Sequence, residues 1–353
     1  MMKIRLKYTL VLVLALASLG FADRESSDSQ VYPLKLSEYG FFQGNLADQL
    51  PTEGVIPYDL NTPLFSDYAH KLRFIRFPKG AEVDYQTDRV LQFPKGTTIV
   101  KTFYFPVDER KPEKGRRLME TRLLIHEEEG WKALPYHWNE EQTEATLEVA
   151  GDTKEVVWRD KAGKKRKVNY PMPNLNQCKS CHSWDGEMTP IGPSVRQLNH
   201  EFSYSTDLEK NQLAHWQNLG LLKDLPKELD EIPSVPNWDD ALDGNLGERA
   251  RAYLDINCAH CHNPHGPAST SGFFLDIHQE DPSVYGVFKT PVAAGRGSGD
   301  LAYDIHPGQA DQSILAYRME STDPGIMMPE VGRTLVHQEG VALIKAWINE
   351  MDL

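Results

Sequence analysis

The chain has 353 residues, four cysteines, 12 histidines and a formal net charge of −13. Charged residues at 25% and hydrophobic ones at 40% exclude a disordered chain, a collagen and a polytopic membrane protein. The acidic balance excludes general nucleic-acid binding, which needs Lys and Arg to neutralise phosphates, and four cysteines are too few for a disulfide-built scaffold.

The chain opens with Lys3, Arg5 and Lys7, then an apolar run from Thr9 to Leu19, then Gly20-Phe21-Ala22 and the polar Asp23-Arg24-Glu25-Ser26. A basic start, a short apolar core and a small-x-small exit describe a secretory signal peptide over residues 1–22, with export to the periplasm as the expected destination. The run is too short to span a bilayer, which needs about 20 residues. No cysteine stands at the exit to carry a lipid anchor. No later segment is long and apolar enough to be transmembrane, so the protein is not expected to be integral to a membrane.

Residues 23–169 read as β-rich. Ile99, Lys101, Phe103 and Phe105 alternate with Val100, Thr102 and Tyr104; Met119, Thr121, Leu123 and Ile125 alternate in the next run, and Ala145, Leu147 and Val149 in a third. Period 2 with β-branched and aromatic residues signals strands. Pro78-Lys79-Gly80, Pro94-Lys95-Gly96 and Asp160-Lys161-Ala162-Gly163 are turns between them. The expectation is an all-β, sandwich-like domain. Its aromatics Trp131, Tyr136, Trp138 and Trp158 are candidates for stacking on a ligand or for filling a core. Lys161, Lys164, Lys165, Arg166 and Lys167 form either a docking patch or a solvated hairpin.

Beyond Pro171 and Pro173 the pattern becomes helical. A helix is expected to start at the cap pair Thr206-Asp207 and to bury Leu208, Leu213, Trp216 and Leu219 before Gly220. The Pro- and acid-rich stretch Asp224 to Asp243 reads as a linker or a surface crossing. Two more helices are expected, over about Gly247–Asn257 and Val336–Met351, with Gly340 allowing the first to approach the last near Tyr253 and Trp347.

All four cysteines fall in one repeated motif, Cys178-Lys179-Ser180-Cys181-His182 and Cys258-Ala259-His260-Cys261-His262. On a helix, positions i, i+3 and i+4 share a face, so two thiols and an imidazole converge on one planar ligand. This spacing is the attachment signal for a c-type haem: the thiols become thioethers and the histidine binds the iron. A four-thiol zinc site usually separates its pairs by about 15–20 residues, whereas 76 intervene here. Redox disulfides lack a surrounding βαβ pattern. The sequence therefore implies two covalently attached haem c groups, with His182 and His262 as iron ligands, in a first unit over 170–245 and a second over 246–353. The overall class is α+β multidomain, with two α-helical cytochrome c-like units, the first truncated.

A thioether is a common sixth ligand. Met328, in Gly325-Ile326-Met327-Met328-Pro329 ahead of the last helix, is the candidate for the second haem, with Met327 as the fallback. For the first haem Met188 leads, with His200, His215, a ligand from the β-rich part or an open site as alternatives. Arg296 and Arg333 are candidates to pair with haem propionates, Arg196 and Arg318 more weakly. No catalytic residue is assigned.

Further segments carry a family resemblance: Tyr58-Asp59-Leu60-Asn61-Thr62-Pro63-Leu64-Phe65-Ser66-Asp67-Tyr68-Ala69, Glu120-Thr121-Arg122-Leu123, Pro190-Ile191-Gly192-Pro193, Arg196-Gln197-Leu198-Asn199 and Tyr253 through Pro264. Over nearly the whole mature chain the sequence resembles the exported dihaem c-type cytochromes of aquatic bacteria, mostly described as conserved hypothetical proteins. The resemblance implies the two haem sites, an N-terminal non-haem domain and, as a possible partner encoded nearby, a protein with a parallel β-helix. The function expected is single-electron transfer to and from a redox partner that is basic, given the acidic chain. Two alternatives stay open: a dihaem peroxidase or oxidoreductase with an open first haem, and a haem-containing binding or sensing protein that uses its β-rich part.

Overall fold

The alternating runs build a single antiparallel meander. The computed structural model describes residues 32–205 and 208–352; the expected signal sequence 1–22 and the cap pair Thr206-Asp207 lie outside the described residues. Six strands, β1 (Val55–Tyr58), β2 (His70–Arg76), β3 (Thr98–Pro106), β4 (Arg116–Glu127), β5 (Gly130–Trp138) and β6 (Ala145–Leu147), pair in chain order. A separate hairpin joins β7 (Asp152–Arg159) to β8 (Lys165–Met172). At its turn Asp160 Oδ1 accepts from the Lys164 amide at 2.8 Å, the Asx chemistry that the local Asp and Gly require.

Because side chains alternate across a strand, Ile99, Lys101 and Phe103 of β3 point to one face and Val100 and Thr102 to the other. The first face is covered at its two ends. At one end Tyr58, Ile75 and Ile99 pack with Leu198, Leu213 and Trp216. At the other, Phe103, Phe105 and Met119 pack with Val156, Trp158, Val168 and Tyr170 of the hairpin. Between them the face opens onto a cavity.

Six α-helices follow among the described residues: α1 (Leu175–Cys181), α2 (Val195–Leu198), α3 (Gln212–Asn218), α4 (Leu246–Leu254), α5 (Ile314–Glu320) and α6 (Gln338–Glu350). Among the described residues no helix is long and apolar enough to cross a membrane. Residues Leu34–Leu353 form one compact unit.

The expected pair of helical, cytochrome c-like units is not what the chain forms. Strands outweigh helices, 28% against 24%, and among the described residues the body is β-rich with no large helical haem domain. The reason lies in the segments after each motif. Pro190, Gly192 and Pro193 after the first, and Pro264, Gly266 and Pro267 after the second, remove the donors and torsions that a longer helix needs. The motif-bearing segments bury their apolar surface against the sheet and against each other instead. The sandwich expectation is corrected likewise: one six-stranded meander faces a two-stranded hairpin. Leu208–Asn211, expected inside a helix, is a strand paired with Glu201–Ser205. The helix begins at Gln212, where Asn211 Oδ1 accepts from the Leu213 and Ala214 amides at 3.0 and 3.3 Å.

Candidate functional site

The two Cys-x-x-Cys-His segments are built alike. Asn174 caps α1 reciprocally with Gln177, its Oδ1 accepting from the Gln177 amide and the Gln177 Oε1 from the Asn174 amide, both at 2.9 Å. Asn245 and Glu248 cap α4 in the same way. Cys178 lies in the middle of α1 and Cys181 ends it; Cys258 lies in a π-helical turn, Asp255–Ala259, that continues α4. In each motif the histidine amide closes onto the first cysteine's carbonyl, His182 onto Cys178 at 3.0 Å and His262 onto Cys258 at 2.9 Å.

The histidine rings are fixed by a second shared pattern. His182 Nδ1 donates to the Thr189 carbonyl at 2.8 Å, and His262 Nδ1 to the Phe273 carbonyl at 3.1 Å. A carbonyl only accepts, so the Nδ1 proton is set and Nε2 is left as a lone-pair donor. The same segments grip the histidine backbone: Thr189 N donates to His182 O at 2.8 Å and Leu275 N to His262 O at 2.9 Å. Burial lowers the His182 imidazole to about 3 and also lowers His262, which holds both rings neutral, the form that ligates metals.

Both motifs open onto one cavity of about 490 Å³, within the range of about 300–1,000 Å³ common for cofactor and ligand pockets. Its walls include Leu64, Phe65, Ile191, Ile314, Leu315 and Val341. The four thiols are free, and burial raises all of them, Cys258 and Cys261 to about 12. Such thiols are not activated nucleophiles. Among the described residues no three His, Cys, Asp or Glu side chains gather round one point.

Met328 lines this cavity, next to Pro329 with which it forms a cis peptide, while Met327 is buried outside it. Arg333 stands behind Met328. It donates to the carbonyls of Met328, Leu335, Arg318, Met319 and Ser321, so its guanidinium is committed to holding this loop. Arg318 lines the cavity and donates to Ile326 O at 2.8 Å. Arg296 pairs with Asp323 at 2.8 Å on the surface, away from the cavity wall. Met188 is likewise off the wall, in a short hairpin after His182 where it pairs with Ser183. His200 contacts the Gln212 amide, and His215 packs on Tyr204 with ring centroids 3.8 Å apart. Tyr136, Trp138 and Trp158 are core residues, and Trp131 stacks on His126.

Two features escaped the sequence reading. His260, inside the second motif, lines the cavity; its Nδ1 is buried without a partner, and its charge would be felt at His182. Arg73, Lys101 and Arg122 also line the cavity, from β2, β3 and β4. The available signal was Lys101 itself, a charge at a position whose period-2 neighbours Ile99 and Phe103 are apolar. No protein-family model, no curated protein and no solved structure matches the chain.

Proposed function

We propose that the chain is an exported dihaem c-type cytochrome that passes single electrons between redox partners in the periplasm. One observation carries the reading: two Cys-x-x-Cys-His segments face one apolar-walled cavity, each with its imidazole locked by an Nδ1–H to carbonyl bond that leaves Nε2 free. That is how proximal histidines are oriented by their surroundings. Cys178, Cys181 and His182 would hold one haem; Cys258, Cys261, His262 and Met328 would hold the other. When bound, haem supplies reversible one-electron chemistry, with a potential set by axial ligands and burial.

The chain's own part is positional. Thr189 and Phe273 fix the rings, Arg333 fixes the Met328 loop, and the apolar walls exclude water. Met188 is turned into a hairpin off the cavity wall, whereas His260 lines the cavity and would be the further donor available to the first haem.

Intact-mass measurement of the purified protein should show two covalent haems; fewer would sink the proposal. Met328→Ala should abolish the far-red Met–iron absorption band, and His260→Ala should turn one low-spin haem high-spin. Wild-type haem that binds carbon monoxide or reacts with peroxide would favour the open-site enzyme instead.

A further inference from the structure

The sheet face beneath the cavity carries cations that the attachment motifs do not use. In the strand register Arg73 stands opposite Lys101, and Lys101 opposite Arg122, so the three form one row across β2, β3 and β4. Cross-strand neighbours on one face lie about 4.5–5.5 Å apart at Cβ, and like charges directly opposite are destabilising. Lys71, two residues before Arg73 on the same face, adds a fourth cation.

Carboxylates answer only part of this charge. Asp59 pairs with Arg73, and Glu120 pairs with Arg122 through Nε at 2.8 Å and Nη2 at 2.5 Å. Glu120 also accepts from the Tyr170 hydroxyl at 2.9 Å. Among the described residues Lys101 forms no ion pair, and Nη2 of Arg73 is buried without a partner. Burial, with Arg73, Lys71 and Arg122 adding repulsion, holds the Lys101 ammonium well below its ordinary range. An uncompensated buried ion costs several kcal/mol in real proteins, and among the described residues Lys101, flanked by Arg73 and Arg122, has no carboxylate partner, only the Phe103 ring at 5.1 Å. The arrangement is that of an anion-binding wall.

We infer that the Arg73–Lys101–Arg122 row binds carboxylate, and that it takes the propionates of the haem held by Cys178, Cys181 and His182. The row lies on that side of the cavity: α1, which carries Cys178 and Cys181, and the Met188 hairpin after His182 both pack on β5, the strand paired with the Arg122 strand β4. Charge-assisted bonds from guanidinium and ammonium groups are the strong way to hold such a group. They would also replace Arg333, whose donors go to backbone carbonyls, and Arg296, which is paired on the surface. The inference rests on the dihaem reading and assigns the sheet its part in it.

The test uses the full-length protein with its haems attached, as wild type, Lys101→Met and Lys101→Arg. Removing a cation beside a propionate favours the more positive, oxidised haem. One of the two reduction potentials should therefore fall in Lys101→Met and stay near wild type in Lys101→Arg. The infrared carboxylate band of ¹³C-propionate-labelled haem should shift in Lys101→Met alone. Two attached haems with unchanged potentials and an unchanged band in Lys101→Met would overturn the inference and leave the dihaem proposal standing. A saturable spectral response of the wild type to added acetate, lost in Lys101→Met, would show that the row serves free carboxylates and would overturn it too. A wild-type mass without haem would remove both readings together.

Discussion

A methyl group has no place at Gly340. A Cβ built there would lie 2.5 Å from Cζ of Tyr253, a buried ring whose hydroxyl also bonds to His337 Nδ1 at 3.0 Å. Alanine would gain about 1 kcal/mol in helix propensity, but overpacking costs about 1–3 kcal/mol and the displaced hydroxyl bond about 1 kcal/mol more. Gly340→Ala should therefore lose about 1–3 kcal/mol, read as a lower denaturant midpoint at unchanged slope. Gly247 is the internal comparison. Its nearest neighbours are Asn245 Oδ1 at 3.3 Å and Trp347 Nε1 at 3.7 Å, so Gly247→Ala should stay within about 1 kcal/mol of wild type. At this scale the sequence was readable: a glycine inside a helical pattern, facing a second helix, marks a close approach. The partners were divided differently from expectation, with Tyr253 against Gly340 and Trp347 against Gly247.

Among the elements, the strands of the meander announced themselves by alternation and both Cys-x-x-Cys-His motifs by spacing, whereas the strand Leu208–Asn211 carried a helical pattern and took its form from pairing with Glu201–Ser205. The caps Asn174 and Asn245 went unread, although Asn-x-x-Gln and Asn-x-x-Glu are capping patterns. The segment Asp59–Ala69 was distinctive without a legible role, because its partners lie far along the chain. Phe65 N donates to Asn257 Oδ1 at 2.8 Å and Thr62 N to Gln197 Oε1 at 2.9 Å. Asp67 accepts from Thr334 N, Thr334 Oγ1 and Leu335 N, all at 2.8 Å. The segment joins the sheet to the second motif and to the loop ahead of α6. Through Leu335 and Arg333 the Asp67 carboxylate also braces the Met328 carbonyl. Asp67→Ala leaves buried donors unpaired, at about 1–3 kcal/mol each. On the dihaem proposal, the far-red Met–iron band of this variant should disappear on heating at a lower temperature than in the wild type while the main haem absorption persists. Loss of both together would mean that Asp67 supports the whole body rather than the Met328 loop.

For the whole molecule the governing quantity is charge. Residues 1–22 hold three basic and no acidic groups, so residues 23–353 carry −13 − 3 = −16. The basic stretch at the β7–β8 turn does little to offset this outwardly, since Lys161 pairs with Asp239, Arg166 with Asp160 and Lys167 with Glu155. If the cation row takes propionates, that positive charge is spent inside the cavity, and the field met by an approaching partner stays strongly negative. Fields of this kind raise encounter rates with opposite charge by about 10- to 1,000-fold, and salt removes the effect. The Debye length falls from about 30 Å at 0.01 M to about 10 Å at 0.1 M. Oxidation or reduction by a cationic reagent such as hexaammineruthenium should accordingly slow about tenfold or more across that range, whereas the reaction with ferricyanide should accelerate. Stopped-flow absorbance of the haem bands would read both. A cationic rate that ignores salt would mean that the acidic surface lies away from the electron's exit, and the partner need not be basic.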